Sequence, residues 1–383
     1  MISIRRHNSS HLIDAKRDGL IRAKNLLIQT RNGEVLAKKL TSNVSGMVNR
    51  GVVVLLPGIA TDGNLFRINT QTGELYVVDN YESFANFLTS LGFTVYIYHP
   101  SYSDRVSNRY VARHCKESRY YGQVRDVDST LSFDRLVFGE LIEFLAAVRR
   151  DAEIKNLFLV GFSQGGLAAA AYEAATRDLE VGKIAILGSP FCLKENPYLS
   201  LYFMPFINSV NTLSMAFSLE EHALAGLVTE KLGPTSTFFR LLPAQFFDYN
   251  PLADLLYWPP NMKPEVTKTM TTRVLEPIPA AETQQFLYFI NEGRFTSMPK
   301  NGLIKYDYLA LMENLGSAVK TRWLFVSGEH DRLATEDTVL AGKAAIERGG
   351  GSAEHLSVPT GHNDMVNGME NVKELVGAWL LAA

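Results

Sequence analysis

The run 51-GVVVLLPG-58 sets three valines and two leucines side by side with no polar residue between them. A strand with one wet face alternates apolar and polar residues. A run without alternation is a strand covered on both faces, as in a parallel sheet held between helix layers. Apolar runs recur at 93-FTVYIYHP-100, in 155-KNLFLVGFSQGGLAAA-170, at 183-KIAILG-188 and in 322-RWLFVSGEHD-331, and 354-EHLSVP-359 reads as a further strand. Between them lie segments with apolar residues three and four apart, near 81–91, 134–149, 335–348 and 366–382, which predict helices. Residues 25–40 read as two strands around the turn at Asn32-Gly33. Strands alternating with helices predict an α/β fold, a mostly parallel central sheet flanked by helices.

The alternation stops at residue 190 and resumes near 320. The intervening stretch is rich in aromatics, as in 198-YLSLYFMPFINSV-210, 238-FFRLLPAQFFDY-249 and 285-QFLYFI-290. We therefore expect a core domain made of residues 1–190 and 311–383, with a large helical cap, residues 191–310, inserted after the sixth core strand. Any single aromatic of this insertion reads first as the cap's own core, whereas the insertion as a whole reads as the roof of an apolar pocket. No internal repeat or low-complexity segment is visible.

Composition narrows the functional classes. A hydrophobic fraction of 46% with 20% charged residues suits a globular protein. The formal net charge of −2 argues against a nucleic-acid partner. No apolar run approaches the roughly 20 residues of a transmembrane helix, so weak contact of the cap with a membrane surface is the most that is expected. The N-terminus lacks the apolar core of an export signal, and two cysteines make no disulfide framework. Both point to the cytoplasm. Nothing calls for a metal or a cofactor.

The pentapeptide 161-GFSQG-165 matches G-x-S-x-G between a predicted strand and a predicted helix, the context in which that motif presents a nucleophile. Gly161 and Gly165 permit a sharp turn at Ser163 that side chains would crowd. A serine hydroxyl is weak at neutral pH and needs a base, which in turn needs an orienting acid. In strand–turn–helix sites of this kind the acid and then the histidine follow late strands. Asp331 and His362 meet that order, each just past a strand. Glu329 is the rival acid. His330 precedes the acid on its own turn, His355 lies inside a strand, and Asp364 is too near His362 along the chain. The oxyanion donors should be the backbone N–H groups of Gln164 and of Ile59, with Gly58 allowing close approach.

With these residues in place the chain resembles the α/β-hydrolase superfamily, and within it the acid lipase group of gastric and lysosomal lipase type. The resemblance rests on 54-VLLPGIATDGNLF-66, 85-ANFLTSLGFTVYIYHPSYSDR-105, 132-SFDRLVFGELIEF-144, the GFSQG turn and the Asp331/His362 pair. It spans about 51–190 and 320–383, and the insertion corresponds to that family's cap and lid. It implies hydrolysis of lipid esters through an acyl-enzyme, with Ser163 as nucleophile, His362 as base and Asp331 as orienting acid. The group usually has His-Gly where this chain has Pro57-Gly58, and its members are mostly secreted or lysosomal.

The expected activity is cleavage of carboxylic esters of an apolar acyl group, on a small-molecule ester or acyl substrate. The same three residues would serve an acyltransferase or a thioesterase, and the fold without chemistry would serve an apolar-ligand-binding protein. The basic segment 104-DRVSNRYVARHCKESRYYGQVRD-126 reads as a solvated loop pairing with its own acids, or as a receiver for a substrate phosphate or carboxylate. His99 and Cys192 could border the site, but each reads more readily as structural.

Overall fold

The computed structural model describes residues 4–7, 20–75, 81–103, 107–193, 196, 198, 256–299, 305–315 and 320–382. Among the described residues nine strands form one sheet: β1 (Ile4–His7), β2 (Ile21–Thr30), β3 (Gly33–Ser42), β4 (Val52–Leu56), β5 (Thr94–His99), β6 (Leu157–Phe162), β7 (Val181–Leu187), β8 (Arg322–Gly328) and β9 (Ala353–Val358). Their order is β1-β2-β3-β5-β4-β6-β7-β8-β9. The pairs from β5 through β9 are parallel, and β1, β2 and β3 join antiparallel at one edge.

The unbroken run at 52–56 behaves as expected: all five residues of β4 are buried. Val52, Val54 and Leu56 enter one hydrophobic cluster, and Val53 and Leu55 enter another on the opposite face. β8 divides the same way, Trp323 and Phe325 to the first face and Leu324 and Val326 to the second. Side chains alternate across a strand with period two, so a strand apolar at every position feeds two cores at once. Phe325, at 0% exposure, packs edge-on to Phe191 at 5.8 Å between ring centroids. Phe325→Ala should cost about 3–5 kcal/mol, read by chemical denaturation. Leu179→Ala, at a residue 74% exposed, should change stability by less than about 0.5 kcal/mol.

The β2–β3 hairpin turns at Asn32-Gly33, with Gly33 at φ +130°, a conformation suited to glycine. Ser83 caps the helix Phe84–Ser90, its side chain accepting from Asn86 N. The predicted helix at 134–149 begins at Phe133 and widens through a π-turn at Val137–Leu141 before continuing as Ile142–Ala152. The last predicted helix, 366–382, is two pieces, Asp364–Asn367 and Val372–Leu381. They part at Gly368, where an added Cβ would lie 2.3 Å from Asp364 O. Lys183 Nζ donates to the carbonyls of Trp379 (3.0 Å) and Leu380 (3.1 Å), fixing the final helix against the sheet. β1 was not foreseen from the sequence.

The insertion leaves the core after β7, the sixth strand when the edge strand β1 is set aside, and returns at β8. The aromatic stretch 238–249, and 198–210 beyond Tyr198, lie outside the described residues. Of the returning limb the structure describes the helices Pro264–Thr269, Ala280–Glu292 and Tyr308–Glu313. Its aromatics pack inward: Phe289, Phe295 and Tyr308 each meet the Phe133 ring within 5.8–6.0 Å. Tyr308–Glu313 lies across the expected boundary at 310 and packs against the core helices Gln164–Thr176 and Glu336–Arg348.

Candidate active site

β6 ends at Phe162 and the helix Gln164–Thr176 begins two residues later, so the whole reversal falls on Ser163. Its backbone sits at φ +52°, ψ −120°, a conformation a non-glycine residue adopts only under strain. The neighbours leave no alternative. A Cβ on Gly161 would lie 2.4 Å from Gly165 O, and one on Gly165 would lie 2.1 Å from Leu56 O. A third glycine, Gly166, is as tight, with Ser189 Oγ 2.1 Å from the place of its Cβ. The pentapeptide stops one residue short of it. Gly165→Ala must push the helix away from β4 and open the turn. It should depress both thermal stability and turnover, whereas Gly122→Ala, with no atom within 4 Å of the added Cβ, should spare turnover.

The structure brings Ser163, His362 and Asp331 together from three strand ends. His362 Nε2 lies 3.0 Å from Ser163 Oγ, and Nδ1 lies 2.8 Å from Asp331 Oδ2. Asp331 Oδ1 accepts the amides of Leu333 (2.8 Å) and Ala334 (2.7 Å), so its carboxylate is aimed by its own loop. A carboxylate at Nδ1 holds that nitrogen as the N–H donor and leaves Nε2 to accept from the serine hydroxyl. The imidazole packs on the Phe162 ring at 4.9 Å. Both side chains are shielded, at 6% exposure for His362 and 0% for Asp331.

Glu329, the rival acid, is exposed, and so is His330, which stacks on Trp258 at 4.1 Å. His355 pairs with Ser327 Oγ at 2.8 Å within the sheet. Asp364 acts elsewhere, accepting from Trp258 N (3.0 Å), Gly361 N (2.9 Å) and Asn261 Nδ2 (2.8 Å). It thereby ties the His362 loop to the returning limb of the insertion.

The loop after β4 reaches the serine. A Cβ on Gly58 would lie 3.2 Å from Ser163 Cβ. Ile59 follows, and Ala60 takes φ +57°. Thr61 Oγ donates to Gly58 O at 2.8 Å, closing the turn. Two buried carboxyls without a sequence signal stand near this region. Glu140, from the π-turn, accepts from Tyr98 Oη and from Ser101 N, and burial pushes its carboxyl above the usual glutamate range. Glu282, from the insertion, accepts from the Gln164 side chain. A glutamate in a mixed helical stretch such as 280-AAETQQFLYFI-290 ordinarily reads as the solvent face.

His99 is fully buried with neither ring nitrogen hydrogen-bonded, and burial together with Lys38 and Arg67 lowers its pKa well below the usual histidine value. It belongs to the support of the loop, with Gly63 packed against it, and not to the serine. Cys192 Sγ lies 3.9 Å from Gly293 O, away from these groups. Arg125, in the basic segment, donates to Ser101 O at 2.7 Å and lies over the Tyr120 ring, as does Arg119. Arg125 thereby ties the segment to the turn after β5, and residues 104–106 lie outside the described residues. A cavity of about 590 Å³ borders the loop after β8, lined by Tyr257, Trp258, His330, Asp331, Arg332 and Glu336 among others. Among the described residues no cluster of three His, Cys, Asp or Glu could hold a metal, and no helix is long and apolar enough to cross a membrane.

The family described as alpha/beta hydrolase fold matches residues 51–368. No curated protein sequence matches significantly. Among solved structures, the chain resembles a membrane phospholipase A described as a bacterial virulence factor, at 15% identity and a TM-score of 0.52, over 94% of this chain and 86% of that one. It also resembles a hydrolase from Pseudomonas aeruginosa PA01, at 13% identity and a TM-score of 0.52, over 94% and 98%. An alpha/beta hydrolase fold protein from Chitinophaga pinensis aligns at 12% identity and a TM-score of 0.50, over 94% and 96%. At these identities the likeness is one of fold.

Proposed function

We propose that this chain, which belongs to the α/β-hydrolase fold family, is a serine hydrolase that cleaves carboxylic esters of an apolar acyl group through an acyl-enzyme. The observation that supports the reading is His362, bridging Ser163 Oγ and Asp331 with one nitrogen toward each. In the proposed reaction His362 Nε2 takes the Ser163 proton as Oγ bonds to the substrate carbonyl carbon. The carbonyl oxygen becomes an oxyanion, received by the main-chain N–H groups of Ile59 and Gln164. Collapse breaks the bond to the leaving alkoxide, which takes the proton from His362 and departs as the alcohol. Water then attacks the acyl-enzyme, gives a proton to the same nitrogen, and releases the acid as Ser163 regains its hydrogen.

The preference for an apolar acyl group, like the likeness to acid lipases, rests on the sequence of the strand ends and of the aromatic insertion. A fluorophosphonate should label Ser163 in the wild type and not in Ser163→Ala. A hydrolysis series from acetyl to palmitoyl esters, with thioesters and amides alongside, should peak on an oxygen ester of a longer chain. Equal rates for acetyl and palmitoyl would remove the apolar preference. Product capture by an added alcohol or thiol in place of water would turn the assignment toward acyl transfer.

A further inference from the structure

The two amides proposed to receive the oxyanion stand on separate strand ends, yet one limb of the insertion touches the loop that carries Ile59 and also the Gln164 side chain. Residues 274–276 run antiparallel to the loop after β4: Asp62 N donates to Val274 O at 3.2 Å and Glu276 N to Ala60 O at 2.8 Å, with Thr61 bridged to Leu275. Within the next turn of chain the helix Ala280–Glu292 begins, and its Glu282 is at 0% exposure. Gln164 Nε2 donates to Glu282 Oε1, while Glu282 Oε2 has no hydrogen-bond partner. Packing does not call for an acid here. The same helix is already anchored by Phe289 against Phe133 (5.8 Å) and by Gln285, which donates to Asp134 Oδ1 at 2.6 Å. A buried carboxyl with one unmet oxygen is costly where an apolar side chain would pack without penalty.

We propose that Glu282 is a positioning residue for the acyl-transfer site, clamping the Gln164 side chain so that the Gln164 main-chain N–H stays aimed at the oxyanion. The inference rests on the reading of Ser163 as nucleophile. It makes the insertion part of the oxyanion machinery as well as a roof over it.

The clamp carries a pH signature. Burial pushes the Glu282 carboxyl up to about 8; the Gln164 amide pulls it down and Glu140 pushes it further up. The titratable groups facing it are Glu140 from the π-turn, Tyr98 from β5 and Tyr102 from the loop after β5. Arg125 acts on Glu140 in turn, lowering its pKa. Below about pH 8 Glu282 is the neutral acid and adds no negative charge beside the developing oxyanion. Above it, a carboxylate coupled through Gln164 opposes that charge, so kcat should fall as pH rises through about 8.

The test is kcat and KM on a nitrophenyl ester from about pH 6 to about pH 10, for the wild type and for Glu282→Gln, Glu282→Ala, Glu140→Gln and Ser163→Ala. The wild type should lose kcat with a midpoint near 8, and Glu282→Gln should lose that decline. Glu282→Ala, which frees Gln164, should lower kcat about 10-fold with little change in KM, a fraction of the 10²–10³ that removing an oxyanion donor costs. Glu140→Gln should move the wild-type midpoint to lower pH without touching the clamp, which keeps the proposal testable if the Glu282 variants do not fold. An unchanged alkaline decline in Glu282→Gln, or a Glu282→Ala variant with lowered stability but wild-type kcat, overturns the proposal. Should Ser163→Ala keep wild-type turnover, the nucleophile reading itself falls and the clamp falls with it. Should Ser163→Ala be inactive while Glu282→Gln follows the wild-type profile, only the clamp falls.

Discussion

Ser163→Ala is expected to lower kcat by about 10⁴–10⁶-fold, with the folded state intact. The size follows from what the hydroxyl is proposed to do. It forms the bond that divides one difficult displacement into two easier steps, and no neighbour can replace it. The residual rate should come from whatever the Ile59 and Gln164 amides give to a direct attack by water. Folding should hold, because Oγ's bond is to His362, while the turn depends on the glycines beside the serine. Stability should rise slightly or stay level, since alanine meets the same positive φ without the hydroxyl. Turnover on the best ester, with a thermal unfolding trace of the same preparation, checks both halves. Near-normal turnover in this variant would remove Ser163 from the reaction, and the proposed function with it.

Why the fold was readable from the chain, and part of the site was not, comes down to how each feature is encoded. β4 and β8 announce themselves because burial on two faces demands an apolar residue at every position, and neighbours along the chain display that. The turn at Ser163 announces itself because the glycines are adjacent to it and are required by backbone atoms a few ångströms away. Asp331 and His362 needed only the rule that such sites gather at strand ends, and both lie just past β8 and β9. Glu282 obeys no local rule. It meets Gln164 across a separation of 118 residues, and the titratable groups that act on it, Tyr98, Tyr102 and Glu140, come from other parts of the chain. The break at Gly368 was missed for a related reason: apolar spacing runs through 366–382, and the partner that takes up the amides of Met369 and Glu370 once the chain turns extended at Gly368 is the distant Asn261. β1 is four residues, IRRH, whose strand character comes from pairing with β2 and not from its own composition. Glu329 and Asp331 were separable only by direction. One faces solvent and the other meets the imidazole, a difference of side on one short turn.

That difference sets the second large effect. Asp331→Asn should cost about 10⁴-fold in kcat at neutral pH, the scale on which a triad loses function when its carboxylate becomes an amide. An asparagine can present its N–H₂ to Nδ1, which favours the tautomer with the proton on Nε2. That nitrogen would then face Ser163 Oγ as a donor and could not take its proton. In the wild type the loop amides of Leu333 and Ala334 both donate to Asp331 Oδ1. They fix which way the amide turns: the asparagine oxygen stays with the loop, and the nitrogen is left toward His362. The geometry should survive while the chemistry does not, so KM should change little. Glu329→Gln provides the contrast, since its side chain is exposed and the imidazole's carboxylate partner is Asp331; it should leave kcat close to that of the wild type. The reverse pattern, a large loss at 329 and a small one at 331, would move the orienting acid two residues upstream and require the loop after β8 to rearrange when substrate binds.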